Sequence, residues 1–415
     1  MSSKQRMQRS SASRKNRTLR FGVIGAGGMG QGYCRIMSMI PHARLTAVCD
    51  VNRAAAEEAG RTFGVPSFSN HLELIKAKAC DVVAIVTPHP FHYQPALDCM
   101  NAGLHVISEK PLTERVSTAD RMVVTAKKNG VVFAIMFQRR LEPAVCKAQD
   151  LIRSGQLGEI YRATLMVLEY RNQCYYNSGA WRATWKGEGG GVMMNQAPHM
   201  MDLFVQFCGL PSAVFGRTCT RMHHIEVEDQ ADALLKFPNG GTGYLYCSTC
   251  ETGPGQLIEL FGEKGKLVLR DGELSLYHFH PGIRTHIKTC EDMWAKPNVF
   301  QVPINIPQVH SSYEDYEAPL QVIPESQPGH AKVLTNMVRH ILFGDKLATP
   351  GASGIASLEL ANAVTLSSHE GRWVNLPINR SKYDALLNRL QRESKFVKKT
   401  VKVQRTTDPQ HLLKR

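Results

Sequence analysis

The feature that most constrains this chain is an apolar run near its start that ends in a cluster of glycines. Residues 20–25 read Arg-Phe-Gly-Val-Ile-Gly, and a G-x-G-x-x-G pattern over Gly25, Gly27 and Gly30 then leads into a segment of helical composition. A strand, a tight turn and a helix are the context in which this pattern holds a pyrophosphate at the helix N-terminus. Gly25 suits the turn, Gly27 a close approach of the backbone to phosphate, and Gly30 close packing of helix on strand. The sequence therefore predicts a doubly wound α/β domain that binds a dinucleotide.

A second apolar run, residues 45–50, ends in an acid at the distance from the glycines where a dinucleotide-binding domain contacts the ribose. A carboxylate at Asp50 would accept hydrogen bonds from the adenosine ribose and repel a 2′-phosphate. This favours NAD as the cofactor. Arg53 is close enough in sequence to stack on adenine or to meet a phosphate, so NADP stays open.

Three more apolar runs each end in a polar cluster. Residues 81–86 lead into Thr87-Pro88-His89-Pro90-Phe91-His92, residues 104–108 into Glu109-Lys110-Pro111, and residues 131–137 into Gln138. In an open parallel sheet the carboxyl ends of the strands line the ligand crevice, so these side chains should lie close together. The predicted cofactor contacts are Gly25, Gly27, Gly28, Met29, Gly30, Asp50, Arg53, Thr87, Pro88, His92, Glu109, Lys110 and Gln138.

Beyond residue 140 the pattern changes to one helix, residues 143–154, followed by a strand-rich region. Apolar and polar residues alternate in residues 230–238, which suits an open sheet with one covered face. A helix followed by several antiparallel strands predicts an α+β domain. The predicted organisation is a flexible basic tail over 1–19, the dinucleotide-binding domain over 20–140, a substrate and oligomerisation domain over 141–378, and a second basic tail over 379–415.

The second domain carries a histidine behind three glycines, residues 189–191. The segment 195–207 is predicted to be a helix on which Asn195, His199 and Asp202 share a face. The positive end of a helix dipole disfavours an imidazolium, so His199 would be neutral at working pH, as a general base must be. Two plainer interpretations stay open: Asn195 caps the helix, and His199 is a hydrogen-bonded core residue.

Taken together, these motifs resemble the Gfo/Idh/MocA family, which is named after glucose–fructose oxidoreductase, inositol dehydrogenase and a rhizopine-catabolism protein. The matching elements are Gly25–Gly30, Asp50, Thr87-Pro88 with His92, Glu109-Lys110-Pro111, and Gly189-Gly-Gly with Asn195, His199 and Asp202. The resemblance runs from about residue 19 to residue 378. It implies an N-terminal Rossmann domain and a C-terminal α+β domain. The large, mainly antiparallel sheet of the second domain would pack against another subunit in a homodimer or homotetramer.

The resemblance also implies a catalytic set: a lysine from the Glu-Lys-Pro triplet, a histidine, and an acid four residues before the histidine. The first two correspond to Lys110 and His199, but the acid position holds Asn195. Asparagine cannot exchange a proton, although it can orient the histidine or hold a substrate hydroxyl. Asp202 could orient His199 instead. The family's Lys-Pro peptide is commonly cis, so a cis bond is expected between Lys110 and Pro111.

The segment 175–186 is rich in aromatic residues and hydrogen-bond donors. It resembles family members that take sugars or cyclic polyols, in which this segment closes over cofactor and substrate. A surface hairpin or a subunit contact is the alternative. The predicted substrate contacts are Lys110, Tyr176, Trp181, Arg182, Asn195, His199 and Asp202.

The expected reaction is hydride transfer between nicotinamide and a secondary hydroxyl of a sugar, cyclic polyol or derivative. His199 would take the hydroxyl proton, and Lys110 would stabilise the charge that develops on the oxygen. Glu109 and Thr87 would position the nicotinamide end of the cofactor, although Glu109 could instead pair with Lys110. A redox-neutral sugar conversion on tightly bound NAD, such as epimerisation or elimination, is one alternative. A non-catalytic NAD-binding regulator is another.

The net charge of +14 is concentrated at the two ends of the chain, which leaves the middle near neutral. Ends of this kind are expected to be solvated tails, and no specific nucleic-acid partner is predicted. No run reaches the ~18 apolar residues of a membrane helix, so no membrane partner is expected. The scattered cysteines, Cys247 and Cys250 included, suit reduced thiols in a cytoplasmic enzyme. The acids and histidines of residues 223–229 lack a convincing ligand set, so no metal is predicted.

Overall fold

The computed structural model describes residues 17–306 and 329–397, which form two sheets with helices packed on them. A six-stranded parallel sheet comes first in the chain, and a nine-stranded, mainly antiparallel sheet follows. The predicted fold class, a doubly wound α/β domain joined to an α+β domain, is therefore confirmed. Most of the two predicted basic tails lies outside the described residues.

The first sheet is built from short apolar runs, each followed by a helix or turn. Its strands are β1 (Leu19–Ile24), β2 (Ala43–Cys49), β3 (Ser67–Phe68), β4 (Val82–Ile85), β5 (His105–Ser108) and β6 (Phe133–Ile135), and its helices are α1 (Gly28–Ile36), α2 (Arg53–Phe63), α3 (His71–Lys76), α4 (Tyr93–Asn101) and α5 (Val116–Asn129). The strand order is β3-β2-β1-β4-β5-β6. The strands read as continuous apolar runs because helices bury both faces of the sheet. The carboxyl ends of β1, β4, β5 and β6 therefore meet at one edge.

The second sheet follows helix α6 (Pro143–Arg153). Its strands are β7 (Ile160–Leu168), β8 (Ala213–Cys219), β9 (Gln230–Lys236), β10 (Thr242–Ser248), β11 (Gln256–Gly262), β12 (Gly265–Arg270), β13 (Glu273–His280), β14 (Asn298–Val302) and β15 (Val374–Asn375). The helices after α6 are α7 (Gln173–Asn177), α8 (Val192–Asn195), α9 (Pro198–Cys208), α10 (Ile283–Thr289), α11 (Gly329–Phe343), α12 (Ile355–Glu370) and α13 (Arg380–Glu393). The strand order is β14-β13-β12-β11-β7-β10-β9-β8-β15, and β7 and β10 pair in parallel.

Helix α12 covers the inner face of the second sheet. Its residues from Ser357 to Ser367 are all buried. A Cβ placed on Gly216 of β8 would lie 2.8 Å from the Val364 side chain, so the contact between strand and helix requires a glycine. This close packing leaves the opposite face of the sheet as its open side.

Helix α11 comes late in the chain but packs on the first sheet. Val333, Leu334 and Met337 share an apolar cluster with Leu19 and Phe21 of β1. This departs from the expected division, in which residues 141–378 form the second domain alone. An amphipathic helix does not reveal in its sequence which sheet it will cover, since either one offers an apolar face.

Helix α13 likewise occupies residues expected to form a basic tail. Tyr383 and Leu387 are buried, and Arg380 makes an ion pair with Glu359 of α12. The prediction of a flexible tail from residue 379 onward is therefore wrong for residues 380–393. The charges that suggested a solvated tail sit on the outer side of an amphipathic helix. No helix within residues 17–306 and 329–397 is long and apolar enough to span a membrane.

Candidate active site

The glycine turn between β1 and α1 has the geometry that its sequence predicts. Gly25 has a φ of +104°, and a Cβ there would lie 2.6 Å from the carbonyl oxygen of Val86. A Cβ on Gly30 would overlap the carbonyl oxygen of Gly25, so helix and strand pack too closely for a side chain. At Gly27 and Gly28 a Cβ would meet nothing, so the backbone faces open space at the N-terminus of α1. The turn thus fits a pyrophosphate held by backbone amides.

Asp50 stands at the carboxyl end of β2, beside this turn. Its Oδ2 accepts a hydrogen bond from the Ala26 backbone at 2.7 Å, and its Oδ1 accepts one from Asn52 at 2.8 Å. These two hydrogen bonds hold the Asp50 carboxylate in place. Each of its oxygens can still accept another hydrogen bond, as a contact with the ribose requires. Arg53 pairs with Glu57 at 2.8 Å on the exposed side of α2. The structure offers no separate support for an adenine or phosphate contact by Arg53.

The turn after β4 is fixed by its own side chains. Thr87 Oγ1 donates to the carbonyl of Phe91 at 2.9 Å. His92 is fully buried, and its two ring nitrogens lie 2.7 Å from the Thr87 carbonyl and 2.9 Å from the Pro111 carbonyl. The ring therefore ties this turn to the Lys110–Pro111 peptide, which is cis as expected. The cofactor contact by His92 stays a prediction.

Glu109, at the end of β5, lies in a network that sequence reasoning missed. Its Oε1 accepts a hydrogen bond from the Tyr33 hydroxyl at 2.6 Å and lies 3.3 Å from Nε2 of His330 on α11. Burial raises the pKa of Glu109, but the contacts with His330 and Tyr33 outweigh it and bring the pKa to about 2. The carboxylate is therefore held by Tyr33 and His330. Tyr33 lies just past the glycine motif, but nothing in the sequence links either residue to Glu109.

Lys110 projects from the same strand end towards the second domain. Its Nζ donates to the backbone carbonyl of Asn195 at 2.9 Å. Burial lowers the pKa of Lys110, although the carboxylates of Glu109, Glu169 and Glu188 oppose this. The amine of Lys110 therefore lies where the two domains meet, and the neighbouring carboxylates favour its charged form.

His199 lies in the first turn of α9, but this helix begins later than predicted. A helix over residues 195–207 is wrong, because the chain forms α8 first and starts again at Pro198, which has no N–H to continue the earlier helix. Asn195 therefore ends α8, and no side chain caps α9. The spacing nevertheless places His199 at the positive end of a helix, as expected.

The imidazole of His199 faces the first domain. Its Nε2 lies 3.4 Å from Nε2 of Gln138, and its Nδ1 has no hydrogen-bond partner among the described residues. The buried Oε1 of Gln138 also lacks such a partner. Burial lowers the pKa of His199 well below its usual value, and the charges of Lys110 and Arg139 act in the same direction. The ring is thus neutral at pH 7 and adjoins polar atoms with unused hydrogen-bonding capacity, as a ligand site would.

Asp202 takes no part in this arrangement. Its carboxylate forms a buried, two-pronged ion pair with Arg140, with contacts of 2.5 and 2.7 Å. Arg140 in turn donates to Ser353 at 2.7 Å. The Asp202 carboxylate is therefore held by a guanidinium, and its roles as a substrate contact or as the group that orients His199 stay predictions. The spacing from His199 to Asp202 could not show that Arg140 would reach the same helix.

The segment 175–186 packs against the site and is not a surface hairpin. Arg182 donates to the Tyr175 hydroxyl at 2.7 Å and lies over the rings of Tyr175 and Trp181. Trp181 also contacts the ring of His89, edge to face. Tyr176 is buried and its hydroxyl lies 2.7 Å from Thr249 Oγ1, and the substrate contact by Tyr176 stays a prediction. Tyr175, one residue earlier, is the tyrosine that lies beside Arg182.

One cluster in the described residues brings together possible metal ligands, His223, Asp229 and Cys250. The Asp229 carboxylate already accepts hydrogen bonds from the backbone of Arg221, Met222 and His223. Nδ1 of His223 lies 3.0 Å from Asp229, and its Nε2 lies 2.7 Å from the Arg171 carbonyl. These contacts give the cluster a structural role in closing a turn. The prediction of no metal stays a prediction.

Family models match both halves of this architecture. The model described as the oxidoreductase family with an NAD-binding Rossmann fold matches residues 19–137. The Gfo/Idh/MocA C-terminal domain matches residues 145–268. The chain belongs to the Gfo/Idh/MocA oxidoreductase family. It is an oxidoreductase with an NAD-binding Rossmann domain.

Relatives and solved structures agree with this family. The mouse (Mus musculus) trans-1,2-dihydrobenzene-1,2-diol dehydrogenase is 28% identical over 55% of this chain and 68% of its own length. The D-glucoside 3-dehydrogenase of Escherichia coli is 27% identical over 55% of this chain and 70% of its own length. The WlbA dehydrogenase of Bordetella pertussis, solved with NADH and UDP-GlcNAcA, is 25% identical with a TM-score of 0.72, covering 88% of this chain and all of the other.

Proposed function

We propose that this chain transfers a hydride between nicotinamide and a secondary hydroxyl of a sugar, cyclic polyol or derivative. The observation that carries the proposal is the meeting of an amine, Lys110, and a neutral imidazole, His199, at the carboxyl edge of the first sheet, where Lys110 Nζ donates to the Asn195 carbonyl at 2.9 Å and His199 Nε2 lies 3.4 Å from Gln138 Nε2. A proton acceptor beside a cation suits an alcohol that loses its proton and its hydride together. The names of the relatives, which include a glucoside and a diol dehydrogenase, support this substrate class.

In this proposal each residue acts on the reacting hydroxyl. His199 accepts the hydroxyl proton, because its imidazole is neutral at pH 7 and keeps hydrogen-bonding capacity. Lys110 donates a hydrogen bond to the same oxygen and stabilises its developing negative charge. Bound NAD supplies the hydride acceptor at its nicotinamide ring. Trp181 and Arg182 present an aromatic face and a hydrogen-bond donor to the substrate.

The cofactor proposed for this site is NAD. Backbone amides around Gly27 and at the start of α1 would hold the pyrophosphate, and Asp50 would accept hydrogen bonds from the adenosine ribose. The fixed Asp50 carboxylate would repel a 2′-phosphate, which favours NAD over NADP. A comparison of kcat/KM with the two cofactors tests this preference, and equal values would contradict it.

The roles of Lys110 and His199 are tested by substitution. Lys110→Ala and His199→Ala are each expected to lower kcat by a factor of about 100 or more on a sugar and polyol panel with NAD. Lys127→Ala, which removes an exposed lysine from α5, is the control and is expected to behave like the wild type. Small effects from both site variants would end the assignment.

The same assay separates a net oxidation from the redox-neutral alternative. Native mass spectrometry of the purified protein shows whether NAD is retained. Turnover that requires added NAD supports the dehydrogenase, whereas retained cofactor and turnover without addition would support internal oxidation and re-reduction.

The open face of the second sheet suits a contact between subunits. Phe215, Leu234 and Tyr244 lie in register on β8, β9 and β10, and they are 40%, 53% and 44% exposed. An apolar row of this kind on a soluble protein marks an interaction surface. We propose that it forms the interface of a homodimer or homotetramer.

The thiols suit a reducing compartment. All eleven cysteines are free, and nine of them are buried or half-buried, in the way that packing residues are. Secreted proteins usually oxidise such a number of thiols to disulfides. We propose that the protein works in the cytoplasm, and cell fractionation tests this.

A further inference from the structure

One buried carboxylate at the meeting of the two domains has no role in the reaction described above. Glu188 immediately precedes the three glycines, and it is 1% exposed. Its Oε2 accepts a hydrogen bond from the Ala183 backbone at 2.5 Å, and its Oε1 accepts a close one from the side-chain amide of Asn195. Both oxygens act as acceptors, as those of a carboxylate do. Burial raises the pKa of Glu188, and the contacts with Ala183, Arg182, Asn195 and Lys110 oppose that rise and favour its charged form.

Asn195 connects this carboxylate to Lys110. The Asn195 side chain donates to Glu188, and its backbone carbonyl accepts the hydrogen bond from Lys110 Nζ. Asn195 occupies the position where the family resemblance implies an acid. Its side-chain amide is hydrogen-bonded to the carboxylate of Glu188. The negative charge that is missing from residue 195 is supplied seven residues earlier in the chain.

The other carboxylates around Lys110 do not take the place of the Glu188 carboxylate. The carboxylate of Glu109 is held by Tyr33 and His330, and that of Glu169 contacts Arg171 at 2.5 Å. Lys110 and Arg182 are the cations that act on the Glu188 carboxylate. The backbone carbonyl of Glu188 lies 3.3 Å from Nδ1 of His89. The other acid near Glu188 is Glu228, and burial and the negative charge of Glu188 both raise the pKa of Glu228. A buried ammonium needs a paired negative charge, and Glu188 lies where it can provide one.

We propose that Glu188 is a positioning residue for the catalytic lysine: its carboxylate fixes Asn195, and the pair holds Lys110 as an ammonium aimed at the substrate oxygen. This inference rests on the proposed hydride transfer and adds a residue to it. Glu188 does not touch the reacting atoms, because it acts through Asn195.

The test exchanges charge and amide between the two positions. Glu188→Gln keeps the shape but removes the charge, and it is expected to lower kcat by about tenfold or more with KM for NAD little changed. The double variant Glu188→Gln/Asn195→Asp restores one carboxylate and one amide in the opposite order. It is expected to regain most of the lost kcat, which is the non-additivity that directly coupled residues show.

Glu226→Gln is the matched control. Glu226 also accepts a backbone hydrogen bond from the same segment, from Trp185 at 2.9 Å, but it binds Ser394 rather than Asn195. A drop in kcat as large as that of Glu188→Gln would mean that any lost carboxylate in this segment disturbs it, and this would overturn the proposal. So would a double variant that folds but is no more active than the single one. If Glu188→Gln does not fold, the double variant alone carries the test and is expected to fold and turn over.

A second readout needs neither cofactor nor substrate. Trace acylation of the protein over a range of pH, followed by mass spectrometry, gives the pH at which Lys110 becomes reactive. Loss of the Glu188 charge is expected to lower that midpoint by about one pH unit, whereas Glu226→Gln leaves it unchanged. An unchanged midpoint in Glu188→Gln overturns the inference. If no substrate is found for the wild type but the midpoint shifts, the proposed function fails while the inference about Lys110 stands.

Discussion

Two titratable side chains, Lys110 and His199, lie buried at the candidate site, and burial lowers the pKa of both. The carboxylates of Glu109, Glu169 and Glu188 oppose this shift at Lys110, so they favour its ammonium form. The charges of Lys110 and Arg139 add to the shift at His199, whose pKa lies well below its usual value, so the imidazole is neutral at pH 7. Carboxylates thus favour the charged form of one group while cations disfavour the charged form of the other, which suits proton transfer to and from an alcohol.

The pH dependence of activity follows from this difference. The pKa of His199 lies well below 6.5, so the base stays unprotonated until the pH falls below that value. The acidic limb of kcat/KM for alcohol oxidation is therefore expected to have its midpoint below pH 6.5, with no loss between pH 8 and 6.5. A limb whose midpoint lies above 6.5 would contradict this. The rate of hydride transfer, measured by the appearance of NADH absorbance, checks it.

At the scale of single elements, the turn between β1 and α1 separates two kinds of glycine. A side chain at Gly30 would overlap the Gly25 carbonyl, whereas one at Gly28 would meet nothing. The first glycine is required for helix α1 to sit on its strand, and the second leaves room for a ligand. The same motif therefore serves stability at one position and binding at another.

This distinction predicts opposite outcomes for two similar substitutions. Gly30→Ala is expected to destabilise the protein by about 1–3 kcal/mol or more, because the added methyl group is overpacked against backbone. Gly28→Ala is the control and is expected to keep the melting temperature of the wild type. Thermal unfolding followed by circular dichroism measures both. Equal melting temperatures would show that α1 can shift to accept a methyl group.

The strands of the first sheet were predictable because each is an apolar run that ends in a distinctive cluster. The strand ends predicted that Lys110 and Gln138 lie close together, and the family resemblance placed His199 with them; Gln138 lies beside His199, and Lys110 binds the Asn195 carbonyl. The contacts that the sequence could not show involve side chains whose partners come from distant parts of the chain. Arg140 takes Asp202, and Thr249 takes the hydroxyl of Tyr176, and spacing within one helix or loop carries no information about either. The contact of His330 with Glu109 could not be predicted either, because helix α11 packs on the first sheet although most of the second sheet separates the two in sequence.

At the scale of the whole molecule, the second sheet has one face covered by helices and one left open. Helix α12 and its neighbours bury the inner face, and the row of Phe215, Leu234 and Tyr244 lies on the other. The catalytic residues lie where the two domains meet and not on this open face. A change in assembly can therefore be measured without touching the residues that are proposed to act on substrate.

Charge placed on the open face is expected to separate the subunits. Leu234→Lys with Tyr244→Lys puts two like charges on each copy, and repulsion across a desolvated contact costs several kcal/mol. Size-exclusion chromatography with light scattering is expected to show a smaller species than the wild type. Lys127→Ala, which removes an exposed lysine of α5 away from this face, is the control. A wild type that is already monomeric at micromolar concentration would contradict the proposed interface.

The position of helix α11 has a consequence for how the protein is made. One side of the first sheet, where Leu19, Phe21 and Met136 lie, is closed by residues of α11. A ribosome reaches those residues only after strands β7 to β14 of the second sheet have been synthesised. The nascent first domain therefore emerges with an uncovered apolar side, and its final fold is completed after most of the chain has left the exit tunnel. A fragment that stops at residue 140 would keep that side exposed and would bind chaperones or other chains in place of its missing helix.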